Sequence, residues 1–116
     1  MAEVFRFGDF QLDTGKFELR RGGVAVPVEP LALDLLTLLL ENPGEVLSRQ
    51  RLVDTVWQGR IVSESTVSTA LKLARKALGD SGRGQAYIRT IRGRGIQFVA
   101  PVAIVRSTTS ESRPTS

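Results

Sequence analysis

One predicted helix presents side chains suited to contact with a polyanion. It covers residues 63 to 79, with Ser63 or Ser65 as the N-cap and Gly79 as the left-handed residue after its end. At 100° per residue an apolar stripe faces the core, formed by Val67, Leu71, Ala74 and Leu78. The opposite face carries small hydroxyl and cationic side chains: Ser65, Thr69, Lys72 and Lys76, flanked by Ser68 and Arg75 on one side and Leu73 on the other. Short side chains allow close approach to base edges, and cations reach phosphates. Taken alone, a solvated surface helix explains these residues equally well.

A basic hairpin follows this helix and favours the first interpretation. Residues 87 to 91 and 96 to 99 are β-branched and aromatic runs on either side of Arg92-Gly93-Arg94-Gly95, a tip that needs positive φ. Two guanidinium groups on a narrow ribbon fit a minor groove or a phosphate backbone. Residues 63 to 99 carry seven Lys or Arg against two Asp or Glu, whereas residues 1 to 62 carry seven against nine. The positive charge is therefore concentrated in the helix and hairpin.

The composition narrows the possible functions. The 116 residues fit one domain, and their pI near 10.3 favours a polyanionic partner, with a membrane surface as the other option. The chain has no cysteine and no histidine, which excludes disulfides, thiolate metal sites and the commonest general base. We expect no cofactor, no metal and no catalysis. The N-terminus does not resemble a signal peptide and the longest apolar run is too short to span a bilayer, so we expect a cytoplasmic location.

The preceding residues predict the scaffold for this surface. Residues 4–7, 10–13, 17–21 and 24–28 alternate apolar and polar side chains, with Phe17 and Leu19 on the buried face, and predict a four-stranded antiparallel sheet. A nearly all-apolar helix starts at Pro30, and a second helix starts after Ser48 and buries Trp57. Sheet, three helices and C-terminal hairpin amount to an α+β winged helix-turn-helix domain over residues 1–102. Residues 103–116 predict a disordered polar tail or linker.

Several segments, in the same order, resemble the OmpR/PhoB-type DNA-binding domains of bacterial transcriptional regulators. The resemblance covers about residues 4 to 102, and the segments that carry it include 43–57, 62–68, 74–80 and 87–98. The order of domain and tail is similar to that of membrane-anchored regulators of the CadC/ToxR kind. Any membrane attachment would then require a region C-terminal to this chain.

The resemblance implies sequence-specific binding of double-stranded DNA. The recognition helix, residues 63–78, would enter the major groove, the wing, residues 87–99, the minor groove, and the 58–62 loop would contact RNA polymerase. The expected DNA-binding residues are Arg49, Ser65, Ser68, Thr69, Lys72, Leu73, Arg75, Lys76, Arg89, Thr90, Arg92 and Arg94. Among these, Arg49 matches a phosphate contact of the family. Ser65 and Leu73 stand where arginine is frequent, and Ala70 where histidine is frequent. The base preferences of well-studied members therefore do not transfer, and we expect the wing to provide more of the phosphate anchoring.

Two other functions compete with DNA binding. A winged helix that binds another protein would use exposed Leu73 and Ile61, and its binding would be insensitive to salt. An enzyme is disfavoured because Gly93-Arg94-Gly95 lacks the spacing of a phosphate-binding loop and no carboxylate pair lies in an evident cleft.

Overall fold

The computed structural model describes residues 3–80 and 86–106. Within them the strands and helices follow one another as β1 (Glu3–Phe7), β2 (Phe10–Asp13), β3 (Glu18–Arg21), β4 (Val24–Val26), α1 (Pro30–Glu41), β5 (Val46–Leu47), α2 (Arg49–Val56), α3 (Glu64–Leu78), β6 (Ile88–Ile91), β7 (Gly95–Phe98) and β8 (Ala103–Arg106). They form two antiparallel sheets around three helices.

The N-terminal sheet buries one face because its apolar residues alternate with polar ones. Phe5, Leu12 and Leu19 stand opposite one another in adjacent strands and are at most 1% exposed. The prediction that Phe17 shares this buried face is wrong. Asp13 Oδ1 accepts hydrogen bonds from the N–H groups of Gly15 and Lys16, and the resulting turn leaves Phe17 before β3 with φ +52° and 45% exposed.

The same sheet has a fifth strand, because β8 pairs antiparallel with β1 in the order β4-β3-β2-β1-β8. The predicted domain end at residue 102 and the predicted disorder from residue 103 are therefore wrong for Ala103–Arg106. The β1 edge would otherwise leave backbone N–H and C=O groups without strand partners, and a β-branched run including Ile104 and Val105 suits pairing there. The rest of the predicted tail, residues 107 to 116, lies outside the described residues.

The helices pack as the apolar patterns predict, except that the buried stripe of α3 is rotated relative to the predicted one. α1 contributes seven buried residues and packs against both α2 and α3. In α3 the buried residues are Val67, Ala70, Ala74 and Leu78, whereas Leu71 is only half-buried. The buried stripe is thus turned from Leu71 towards Ala70.

The hairpin belongs to a three-stranded sheet in the order β5-β7-β6, hereafter the wing sheet. Leu47 stands opposite Ile96, and Val46 opposite Gln97. Gln97 Nε2 also donates to the Gly44 carbonyl at 2.7 Å. The segment that leads into α2 is therefore joined to the wing by backbone and side-chain hydrogen bonds.

Candidate nucleic-acid interface

The capped helix α3 exposes its central face. Ser63 Oγ accepts a hydrogen bond from Thr66 N at 3.2 Å, and Gly79 adopts φ +68° after the last turn. These caps satisfy backbone groups at both ends of the helix and define where it begins and ends. The exposed residues of the predicted contact face are Ser65, Ser68, Thr69, Lys72 and Lys76.

A groove brings one flank of α3 together with the wing. It is lined by Arg49 at the start of α2, Glu64 and Ser68 of α3, and Thr90 and Arg94 of the hairpin. Cations of α2 and of the wing thus face the same concave surface beside the recognition helix. Glu64 places one carboxylate there, so the groove is basic overall but not uniformly so.

The other flank of α3 faces the start of α1. Ser65, Thr69 and Leu73 line a hollow together with Glu29 and Leu31. Lys76 borders the connection between β4 and α1. Lys72 lies between the two flanks by its helical phase and is exposed. The predicted residues of α3 therefore surround its exposed face, and Leu73 is half-buried at the margin.

At the wing tip, Arg92 and Arg94 are exposed and lie around Gly93, which has φ +75°. Arg94 N donates to the Ile91 carbonyl at 2.9 Å and closes the turn. Arg89 stands opposite Gln97, whereas Thr90 stands opposite the buried Ile96. Because successive side chains of a strand alternate faces, Arg89 lies on the face of the wing sheet away from Ile96. The described lining of the groove includes Thr90 and Arg94 but not Arg89.

Arg75 is held within the protein. Its Nη2 donates to Thr90 Oγ1 at 2.6 Å and to the Ile88 carbonyl at 3.4 Å. Its Nε is buried without a hydrogen-bond partner, and the residue is only partly exposed. Arg75 was expected to contact DNA from its helical phase and from its position in the family's recognition helix, and neither reveals that the wing reaches this flank of α3.

Asp80 was not predicted from the sequence to have a role beside this surface. Asp80 follows the C-cap of α3, and its buried carboxylate accepts backbone hydrogen bonds from Ala86, Tyr87 and Ile88. The one available signal was a carboxylate just after the C-terminal end of a helix, where the helix dipole disfavours an anion.

The loop between α2 and α3 lies beside a different part of the molecule. Gln58 has φ +55° and lines a depression together with Asp34, Thr37 and Glu41 of α1. Burial raises the pKa of the Asp34 carboxyl above its ordinary value of 3.8. Ile61 is fully exposed, at 103% of its reference area.

The described residues hold neither a metal-ligand cluster nor a membrane-spanning helix. Residues 3–80 and 86–106 contain no group of three or more His, Cys, Asp or Glu placed to hold a metal ion. The longest helix there has 15 residues, and none of these helices combines the length and hydrophobicity that crossing a bilayer requires.

Three helices with an exposed third helix, a strand leading into α2 and a hairpin against α3 define a winged helix-turn-helix domain, as the sequence predicts. Residues 23–98 match the family described as "Transcriptional regulatory protein, C terminal", and the chain belongs to this family. The resemblance to OmpR/PhoB-type domains is thereby confirmed.

Individual relatives agree with this assignment. The transcriptional activator CadC of Escherichia coli (strain K12) is 34% identical over 100 residues, which cover 85% of this chain and 20% of CadC. The phosphate regulon transcriptional regulatory protein PhoB of Rhizobium meliloti (strain 1021) is 38% identical over 96 residues, covering 82% of this chain and 42% of PhoB. The solved DNA-binding domain of E. coli CadC has a TM-score of 0.75 and 33% identity, covering 86% of this chain and 94% of that one. The chain thus spans a fifth and about two fifths of the two full-length relatives.

Proposed function

We propose that this chain binds double-stranded DNA sequence-specifically as the DNA-binding domain of a bacterial transcriptional regulator. One observation carries the proposal: the groove unites Arg49, Ser68 and Arg94, cations and a hydroxyl from three separate elements, next to the exposed face of α3. Membership of a family of transcriptional regulators and the likeness to the DNA-binding domain of CadC support it.

The dimensions of α3 fit the major groove of B-DNA. Its 15 residues span about 22 Å, and the major groove, about 12 Å wide, admits one helix. Ser65, Ser68 and Thr69 are short enough for the helix backbone to approach base edges closely, and their hydroxyls both donate and accept hydrogen bonds. We assign base-edge contacts to these three residues.

The cations around that face are assigned to phosphates. Lys72 projects from the exposed face of α3, and Arg49 lies in the first turn of α2, where backbone N–H groups also favour an anion. Lys76 and Leu73 mark the margin of the surface. At the wing tip, Arg94 lines the protein groove beside α3. We assign it to insertion into the minor groove of the DNA, and we assign Arg92 to the adjoining DNA phosphates.

Arg75, Thr90 and Arg89 receive different roles from those the sequence suggested. Arg75 is assigned to hold the wing through Thr90, since its Nη2 atom is already hydrogen-bonded there. Arg89 is assigned to the outer face of the wing sheet. It therefore serves as a matched control for Arg94, since both are exposed arginines of the same hairpin.

The test compares Arg94→Ala with Arg89→Ala. Duplexes are first selected from a random pool with the unmodified chain, and affinities are then measured by fluorescence anisotropy at several salt concentrations. Each cation removed from the DNA interface reduces the magnitude of the slope of log K against log salt by about 0.9, because fewer counterions are released on binding; we expect this reduction for Arg94→Ala and a smaller one for Arg89→Ala. Equal slopes for the two variants would refute the assignment of the wing. Failure to enrich any duplex would refute DNA binding itself.

We also propose that the 58–62 loop contacts RNA polymerase, because Ile61 is fully exposed on a loop away from the groove. In the full-length regulator, Ile61→Ser should reduce transcription from the target promoter while leaving DNA affinity unchanged. Ile104→Ser, which alters another exposed isoleucine, should change neither. Unreduced transcription with Ile61→Ser would exclude this role for the loop.

The proposed setting is the cytoplasm, where chromosomal DNA is found, and the proposed function includes no catalysis. The chain lacks histidine and cysteine, and its family consists of transcriptional regulators. A positive hydrolase or phosphoryl-transfer assay with the purified chain would contradict the absence of catalysis.

A further inference from the structure

A buried carboxylate joins the end of α3 to the root of the wing. Asp80 is 8% exposed and is the one buried charged side chain in residues 3–80 and 86–106. Its Oδ1 accepts from Ala86 N at 2.7 Å, and its Oδ2 accepts from Tyr87 N at 3.1 Å and Ile88 N at 2.9 Å. Three charge-assisted hydrogen bonds offset the desolvation of a buried carboxylate.

The same residue is fixed to the recognition helix through its backbone. Asp80 N donates to the Arg75 carbonyl at 2.8 Å, directly after the left-handed Gly79. The carboxylate therefore has a defined position relative to α3 and binds three consecutive amides that lead into β6. A side chain of α3 itself also reaches this strand, because Arg75 donates hydrogen bonds to Thr90 Oγ1 and to the Ile88 carbonyl.

The stability of α3 does not explain a carboxylate at this place. An anion just after the C-terminal end of a helix is disfavoured by the helix dipole. A negative charge beside a DNA-binding surface also weakens attraction to phosphates. Both terms oppose Asp80, so its contribution must come from the three amides it binds.

The wing tip is sensitive to the direction of β6 at its root. Arg92 lies four residues beyond Ile88, about 13 Å along an extended strand. A tilt of about 10° at Ile88 would move the tip by about 2 Å, enough to break a hydrogen bond to a phosphate. Contacts at the root therefore control whether the tip arginines reach their target.

We propose that Asp80 is a positioning residue for DNA binding: it sets the angle between α3 and the wing and acts through Arg94. This inference rests on the proposed DNA-binding function. By its charge alone Asp80 would weaken DNA binding, whereas its proposed positioning role strengthens DNA binding.

The experiment is a double-mutant cycle on the full chain with a selected duplex. Asp80→Asn removes the charge, and Asp80→Glu keeps the charge but displaces both oxygens by one methylene. Each is combined with Arg94→Ala and, as the matched control, with Lys72→Ala on α3. We expect Asp80→Asn to weaken binding about tenfold, although loss of a negative charge by itself would strengthen it. In the Arg94→Ala variant, adding Asp80→Asn should cause almost no further loss of affinity. In the Lys72→Ala variant, the fold-losses of affinity from the two substitutions should multiply.

The folded fraction of each variant is measured by circular dichroism at the assay temperature. If Asp80→Asn is not folded there, the cycle with Asp80→Glu decides. Amide hydrogen exchange of Tyr87 and Ile88 is followed as well, and faster exchange in a folded variant supports release of the wing root. Losses that multiply with both Arg94→Ala and Lys72→Ala would overturn the inference, as would tighter binding by Asp80→Asn. Absence of binding by the unmodified chain would instead refute the proposed function.

Discussion

Gly95→Ala gives a sharp test of how the wing is attached to the rest of the fold. Gly95 has φ +150°, and a Cβ atom there would lie 1.9 Å from the Leu47 carbonyl oxygen and 2.7 Å from its carbonyl carbon. Leu47 is the last residue of β5 and precedes the N-cap of α2. The missing side chain thus allows β7 to approach β5 and the start of α2.

Two costs contribute to the expected effect. A non-glycine residue in this region of φ costs about 1–3 kcal/mol, and the overlap with backbone atoms forces a displacement worth about another 1–3 kcal/mol. We therefore expect Gly95→Ala to lower the free energy of unfolding by about 2–6 kcal/mol, a large part of the 5–15 kcal/mol typical of a domain. In Gly93→Ala the new Cβ meets nothing within 4 Å, so only the cost of positive φ applies, about 1–2 kcal/mol.

The assay is urea denaturation followed by the fluorescence of the single tryptophan, Trp57, which is buried. Thermal unfolding provides a second reading, since 1 kcal/mol corresponds to about 4–8 °C for a domain of this size. Gly93→Ala is the matched control because it alters a glycine of the same hairpin. The reasoning is refuted if Gly95→Ala is no less stable than Gly93→Ala.

Three further predictions concern charge, capping and pH. Lys72→Ala should weaken binding to all duplexes and reduce the magnitude of the slope of log K against log salt by about 0.9. The free energy of unfolding should hardly change, because the side chain is exposed. An unaltered slope would show that Lys72 does not contact a phosphate. Ser63→Ala should lower the free energy of unfolding by about 1 kcal/mol through loss of the α3 N-cap, and Ser68→Ala should cost less; equal urea midpoints would contradict the cap. Asp34→Asn should raise the free energy of unfolding at pH 7, because burial raises the pKa of Asp34 and its ionised form opposes folding. This gain should shrink as the pH falls through the folded-state pKa and vanish below 3.8, and a gain independent of pH would exclude the cause.

The confirmed predictions depend on signals within a few residues of one another. Ser48 and Ser63 cap α2 and α3, and Gly79 ends α3, because caps act on backbone groups only two to four residues away. The hairpin tip was likewise predicted from adjacent residues. The prediction for Phe17 failed because the side chain of Asp13 formed a turn that competed with the strand pattern.

The placement of the proposed site residues needed more than local patterns. Helical phase put Arg75 beside Lys72 and Lys76, but the nearby wing engages it in hydrogen bonds to Thr90. Arg89 and Arg94 are both arginines of one hairpin, and only the folded structure shows that Arg94 lines the groove beside α3 while Arg89 stands opposite Gln97 in the wing sheet. Composition alone identified the charged segment but not the direction in which each cation points.

By itself, the sequence determined three helices, a basic hairpin and a polar, cationic helix face, since periodicity and caps are properties of adjacent residues. Only the tertiary structure decided that β8 completes the first sheet, that β5 joins the wing sheet, and that Asp80 binds the wing root. The pairing of Glu3 with Arg106 joins residues at opposite ends of the described chain. Such pairings are selected by the free energy of the whole fold, in which distant groups satisfy each other's hydrogen bonds, and no local pattern records which partner is chosen.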